Sequence, residues 1–479
     1  MCVPVAALLL CGGAASALDV NCAPGQLSAA VGAQAATATT LAVTGAVNAA
    51  DLEFVRYEMP ALESLDLSGA TIASYSGAKL ANGRFDSPAY TFPECALLGA
   101  QITSVTLPSN LTAIGDGAFA SSDITSIEIP ASVTTIGASA FADCDALERV
   151  FIPESVTEMG AGAFSRCASL TRADINGAMT DIPAQAFAGC TTLATVVLPP
   201  SVTTIGDEAF AQTAIDKIAL SRCEGLKSVG KWAFAGCEKL EAVWMPHPVP
   251  ELGQGAFFHN TTLVADISAM QGSSNAEMAD YLYTGNALMT VNKFEDTSVS
   301  RIGDYALAGL ENISEISLPY TVNSIGSHAM EGWTGLKVLK GDKLKSVPEL
   351  GDEVWAGVNQ SDVTLEVSTL VAESFKAAAQ WQDFAIKAVS PTTLEEIVDS
   401  GVGARNVSGH FAGQTLHLAS TGDNIVGVQL YDLGGRMYAL PANSPAAVLD
   451  IDTSAVDGGV WLVRVLLADG SVEVLKLNK

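Results

Sequence analysis

Basic residues are scarce in this 479-residue chain: 24 Lys and Arg stand against 52 Asp and Glu, a formal net charge of −28. Phosphate recognition needs clustered cations, so nucleic acid and anionic lipid are not expected as direct partners. Charge of either sign is thin, at 16% of residues. Histidine is thin too, and His247, His259, His328, His410 and His417 share no motif. The chain has no H-E-x-x-H, no G-x-S-x-G, no P-loop and no G-x-G-x-x-G in a βαβ setting. With no catalytic constellation and no cofactor motif, the expectation is a non-enzyme that binds no cofactor. No internal stretch reaches the roughly 18 uninterrupted apolar residues of a membrane helix, so none is expected beyond the N-terminus. Nine cysteines are present, but no C-x2-C pair that would suggest a metal.

What the chain has is a phenylalanine that returns about every 23 residues: Phe119, Phe141, Phe164, Phe187, Phe210, Phe234 and Phe257. The frame around it reads IGDGAF, IGASAF, MGAGAF, IPAQAF, IGDEAF, VGKWAF and LGQGAF. A fixed period of this length means a solenoid. In the unit LATVVLPPSVTTIGDEAFAQTA, Leu193, Val196 and Leu198 form a short strand stopped by Pro199-Pro200. Val202 and Ile205 return to the core, Gly206 turns the chain, and Ala209-Phe210 close the coil. No unit can bury its own apolar face; stacking at about 4.8 Å buries them all.

Past Phe257 the repeat loosens. An apolar anchor follows most Phe positions by six residues, as Leu240 follows Phe234. The same offset places Leu282, Leu307 and Met330 in that slot, and the dipeptide Leu350-Gly351 adds Trp355. Upstream, Leu65 and Leu67, then Phe92 and Cys95, read as degenerate starting coils. Roughly a dozen coils are expected, about 60 Å of stacked sheet.

These repeats resemble the BspA-like (Treponema-type) leucine-rich repeat family across about residues 26–389. Residues 364–389 resemble its closing element, a short amphipathic helix ending in Trp381 and Phe384. The resemblance implies a leucine-rich-repeat solenoid of short parallel strands, turns and short helical segments. Repeats of this kind serve as binding scaffolds for many ligands, so the family points to a function class and to no ligand.

The N-terminus, MCVPVAALLLCGGAASALDV, reads as a signal peptide over 1–17, with cleavage after Ala15-Ser16-Ala17; lipidation at Cys11 is the alternative. A lead-in over 18–60 precedes a solenoid over 61–390. Cys144, Cys167, Cys190 and Cys237 each follow a Phe by three residues, and Cys95 follows Phe92 in the same way. Such a column reads as buried thiols, not as disulfides, which need specific pairs. Asp450, Asp452 and Asp457 match a calcium loop poorly and read as an ordinary turn between strands.

Around Pro391 and Gly401-Val402-Gly403 the period ends. Alternating segments at 415–419, 425–432, 436–440, 447–451, 459–467 and 472–477 make residues 402–479 a small antiparallel, immunoglobulin-like β-sandwich. The run from VGVQLYDLGGRMY to the terminal Lys resembles the C-terminal sorting domain of type IX secretion cargo. On that resemblance Asp432, Gly435 and Arg436 form its D-x-x-G-R turn, Gly459 starts the next strand and Lys476 lies in the last. Trp461 stands where that family has Tyr. The expected protein is therefore secreted or held on the surface of a Gram-negative bacterium. Its partners would be an extracellular protein or glycan and the secretion machinery. An adhesin for host matrix proteins or other cells is the leading function; a structural or glycan-binding envelope protein is the alternative.

Overall fold

The computed structural model describes residues 3–4, 16–81, 83–84, 86–264, 277–289, 291, 294–389, 406–431, 437–440, 445–454, 456 and 458–479. Residues 1–2, 5–15, 390–405, 432–436 and 457 are among those outside the described residues. The chain divides into two compact units, Met1–Ala265 with Tyr281–Met289, and Asp266–Asp280 with Thr290–Lys479.

The first unit opens on three parallel strands, Ser16–Cys22, Ala38–Val47 and Ser64–Ile72, with the helix Ala49–Glu58 before the third. Leu18, Val20 and Cys22 are buried in alternation, the period of a strand with one face on a core. Asn48 caps the helix by accepting the N–H groups of Ala50 and Asp51. The Asp51 carboxylate accepts the Asn48 N–H at 2.9 Å and also those of Gly25 at 2.7 Å and Leu27 at 2.9 Å. That capping box locks the helix onto the lead-in.

The parallel ladder then runs coil to coil through Ser104–Thr106 and Ser126–Ile127, then Arg149–Ile152, Arg172–Ile175 and Thr195–Val197, then Lys217–Ala219 and Ala242–Trp244. Proline ends these strands by turning the chain: the Pro108, Pro130 and Pro153 carbonyls accept from Leu111, Val133 and Val156. A second strand of two residues, not expected from the sequence, follows each turn. Thr135–Ile136, Thr204–Ile205 and Ser228–Val229 are examples.

The Phe-bearing side of the coil forms a third hydrogen-bonded wall. Gln185, Phe187 and Gly189 donate to the carbonyls of Asp207, Ala209 and Ala211 in the next coil, each at 2.8 Å. Gly162, Phe164 and Arg166 donate in the same way to Ala184, Ala186 and Ala188. Left-handed residues alternate with ordinary ones here: Gln185 has φ 57° and Gly189 φ 75°, Glu208 φ 56° and Gln212 φ 58°. Gly206 opens the turn, its carbonyl accepting the Ala209 N–H at 3.3 Å, without itself being left-handed. A Cβ on Gly206 would lie 2.5 Å from the Ala184 nitrogen, so the glycine serves close approach between coils.

Above that wall the Phe rings stack in one column. Phe119, Phe141, Phe164, Phe187, Phe210, Phe234 and Phe257 are buried, with successive centroids 5.1, 5.0, 5.5, 5.6, 5.3 and 5.5 Å apart. Truncating one such ring to Ala removes about 3–5 kcal/mol. Tyr283, not Leu282, takes the next slot: its ring stacks on Phe257 at 5.8 Å, while the Leu282 carbonyl accepts the Phe257 N–H at 3.1 Å. The anchor moves with it, Met289 being buried and Leu288 exposed. At the start of the array, Phe92 lies in a short strand paired with Ala113–Ile114, and Leu97 makes the backbone bond of the slot, to Ala118. Cys95 is therefore at the left-handed corner, φ 53°, and outside the cysteine column.

In the second unit Leu307, Met330 and Trp355 occupy the slot, and Leu307 and Met330 donate to Ala329 and Val354. Short parallel strands at Glu277–Met278, Arg301–Ile302, Ser324–Ile325 and Glu349–Leu350 form one wall. Glu315–Ser317, Val338–Gly341, Thr364–Ser368 and Ala385–Val389 form another. The closing helix is shorter than expected, Ala372–Ala377, and Trp381 and Phe384 follow it. Their rings cover Trp355 edge-on at 5.6 and 5.0 Å. Gln380 stands in for a further coil: its side chain accepts the Val354 N–H at 3.0 Å and donates to the Gly351 carbonyl at 2.7 Å.

The C-terminal residues form two antiparallel sheets. One has the strands Val407–Ala412, Thr415–Ser420 and Val448–Asp452; the other has Met437–Leu440, Ile425–Tyr431, Val460–Leu467 and Val472–Asn478. Val407–Ala412 escaped the sequence reading because Gly409 stands at the core-facing position between Val407 and Phe411 and leaves no apolar alternation to read. Leu416, Leu418 and Ile451 of the first sheet share one core with Leu430, Trp461, Val463 and Val465 of the second. Asp450 and Asp452 lie within a strand and not in a turn between strands.

Candidate binding surface

Where the coil strands face outward, their side chains form columns. In Arg149–Ile152, Val150 and Ile152 point to the core, and Arg149 and Phe151 point out. The register sets Arg149 beside Arg172 and Phe151 beside Asp174. It continues from Arg172 to Thr195 and from Asp174 to Val197. Arg172 holds Asp174 by two hydrogen bonds of 2.7 Å along its own strand, which leaves Arg149 without an acid beside it in the ladder. Further along, Lys217 pairs with Ala242 and Ala219 with Trp244. Phe151 is 56% exposed and Trp244 51%.

A second cluster sits at the left-handed corner of the first unit. Trp232 at φ 56° and Tyr281 at φ 58° occupy the corner position, separated by Gly255. Left-handed backbone at an aromatic residue is uncommon and aims the ring out of the coil. A Cβ on Gly255 would fall 2.2 Å from the Trp232 ring, so the missing side chain is the bed on which that ring lies. Trp232 meets Phe258 edge-on at 5.3 Å and Tyr281 at 5.9 Å. All three rings are half-buried and share one ledge. The sequence carried a signal for it. The residue two before each Phe is small or polar in most coils, and Trp232 is the one large ring in the regular frames.

The cysteine column has a structural role. Cys144, Cys167, Cys190 and Cys237 donate their thiols to the carbonyls of Phe119, Phe141, Phe164 and Phe210, at 3.1, 3.1, 3.0 and 3.2 Å. Other donors do the same in other coils: Asn286 reaches Phe257 at 3.0 Å and Trp333 reaches Leu307 at 2.7 Å. Burial pushes the Cys144 thiol up to about 11. The adjacent Cys190 thiol and burial push Cys167 up as well, and burial raises Cys237. Such thiols are poor nucleophiles. Cys144, Cys167, Cys190 and Cys237 form no disulfide.

Of the expected sorting-motif residues, Asp432, Gly435 and Arg436 lie outside the described residues. Gly459 precedes the strand Val460–Leu467 and exchanges backbone hydrogen bonds with Lys479 at 3.2 and 2.9 Å. Lys476 is exposed and pairs with Leu462. Among the described residues no group of three His, Cys, Asp or Glu is placed to hold a metal, and no helix is long and apolar enough to cross a membrane.

Comparison with known proteins follows the coils. A solved leucine-rich repeat protein from Bacteroides ovatus ATCC 8483 has the same fold, with a TM-score of 0.51 and 18% identity over 81% of this chain and 99% of that one. A leucine rich cell surface protein from Faecalibacterium prausnitzii A2-165 is 24% identical over 48% of this chain and 82% of its own, with a TM-score of 0.26. The T. pallidum leucine rich repeat protein is 22% identical over 47% of this chain and 83% of its own, with a TM-score of 0.26. No curated protein matches. The model of the BspA type leucine rich repeat region, present in six copies, matches residues 72–190, 163–288 and 276–397. With more than half of its length so matched, and with the coil geometry described above, the chain belongs to the BspA type leucine rich repeat family.

Proposed function

We propose that the protein is a secreted or cell-surface binding protein, an adhesin for host matrix proteins or other cells. The observation that carries this reading is two exposed rings on outward strand faces of the array, Phe151 on the strand that also presents Arg149, and Trp244 on the strand Ala242–Trp244. Aromatic rings and arginine on a rigid surface are the side chains that dominate protein–protein binding energy. The corner ledge of Trp232, Phe258 and Tyr281 favours a second reading, an envelope protein that stacks sugar rings on those faces. Export fits both readings: residues 1–17 are proposed as the signal and residues 402–479 as a type IX sorting domain. In it, Asp432, Gly435, Arg436, Gly459 and Lys476 carry the motif, and the location is the outer-membrane surface or medium of a Gram-negative bacterium.

The test sets the protein against immobilised matrix proteins and a glycan array. A Phe151→Ala/Trp244→Ala variant is expected to lose at least tenfold in affinity for a matrix protein, while Trp232→Ala keeps it. Loss confined to Trp232→Ala on glycans replaces the first reading with the second. A double variant that binds its matrix protein like the wild type, or a wild type that binds no member of either panel, overturns the adhesin reading.

A further inference from the structure

We propose that His410 and His417 form a site for a divalent transition metal, Zn2+ first among them, on the outer face of the three-stranded sheet, with Asp450 holding His417 in its ligating form. The three residues are far apart in sequence, and strand pairing sets them in one row. His410 is the register partner of His417, and His417 is the register partner of Asp450. On these strands Val407, Leu416, Leu418 and Ile451 point to the sandwich core, so the row points the other way. His410 is exposed and His417 half-buried.

The arrangement is that of a ligand pair with its supporting carboxylate. The two imidazoles lie face to face at 5.0 Å, 23° from parallel. His417 Nδ1 lies 2.6 Å from Asp450 Oδ1. A carboxylate only accepts, so Nδ1 carries the hydrogen, and in the neutral ring that binds a metal Nε2 offers its lone pair. Metal-bound histidines are regularly supported in this way by a carboxylate on the other ring nitrogen. Directly paired residues on neighbouring strands have Cβ atoms about 4.5–5.5 Å apart. A Zn2+ ion with Zn–N bonds of about 2.0–2.1 Å bridges two imidazoles on such positions after rotation about side-chain bonds alone. The protein supplies two ligands and water completes the coordination, in keeping with the lack of any three-residue cluster among the described residues. Asp452, one row along beside Thr415, accepts the Ser454 N–H at 2.8 Å and adds negative charge to the face. The net charge of −28 raises the local concentration of cations further.

The experiment is a calorimetric titration of the full, reduced, chelator-treated chain with ZnCl2, read beside the imidazole proton resonances. The expected result is saturable binding that shifts the resonances of two of the five histidines. His410→Ala and His417→Ala should each weaken that binding at least tenfold. Asp450→Asn should weaken it by roughly tenfold, as expected for loss of a supporting carboxylate. A His247→Ala/His259→Ala/His328→Ala variant should bind as the wild type does. These side chains are exposed or half-buried, so unchanged circular dichroism is expected and separates lost binding from lost fold. Zn2+ binding that survives in the His410→Ala/His417→Ala double variant, shifts confined to the other three histidines, or no binding at all would overturn the proposal.

Discussion

A buried thiol that donates to a carbonyl is a small device, but it sets a pH limit. Cys144 is held protonated by burial up to about 11, from an ordinary value of 9.0. The unfolded chain loses that proton first, so it binds fewer protons than the folded chain above the ordinary value. Stability from Cys144 is therefore complete below pH 9 and falls as pH rises toward 11, by roughly 2–3 kcal/mol at the end of that window. Cys144→Ser should keep the bond to the Phe119 carbonyl, as Asn286 and Trp333 do in their own coils, and should flatten this alkaline loss. Chemical denaturation of both proteins at pH 7.5 and 10.5 measures the difference; equal slopes with pH would rule it out. The column itself was readable from the spacing of the cysteines. That Asn and Trp occupy the same position was hidden, because they share with Cys only a donor group and no hydropathy.

The coil shows where sequence reading works and where it stops. The Phe period yields a parallel solenoid because its core is apolar and regular. Hydropathy favours Leu282 for the slot that Tyr283 holds, because it cannot choose between apolar neighbours; the backbone bond from Phe257 decides. The alternating corner was invisible because Gln185, Glu208 and Trp232 have nothing in common except a left-handed backbone. Two substitutions separate the roles of these positions. A Cβ on Gly160 would meet the Ala138 nitrogen at 2.2 Å, so Gly160→Ala should force neighbouring coils apart and cost about 1–3 kcal/mol. Gln185→Gly should stay within about 0.5 kcal/mol, because relief at φ 57° offsets the added freedom of the unfolded chain. Thermal denaturation of the two variants would disprove this assignment if Gln185→Gly were the more damaging.

Across the whole molecule the proposed roles divide by region: coils bind, and the C-terminal sheets direct export. The core of the sandwich was partly readable, since the nearly continuous apolar run VWLVRVLL marks an interior strand buried on both faces. The His–His–Asp row was not, since only strand pairing brings residues 410, 417 and 450 together. If the sorting assignment holds, deleting 402–479 leaves coils that still bind, and the truncated protein accumulates in the periplasm of its host. Cell fractionation reads the outcome, and truncated protein at the surface would return the sandwich to a share in binding.

From Phe119 to Phe257 the wall at the Phe corner makes one coil a donor to the next and an acceptor from the one before, whatever the side chains. In hereditary terms the coil is then a unit of exchange. An in-frame recombination that removes or duplicates the 23 residues from one Phe slot to the next joins two coils through an edge already used elsewhere in the array, so the gene can change length without inventing a new contact.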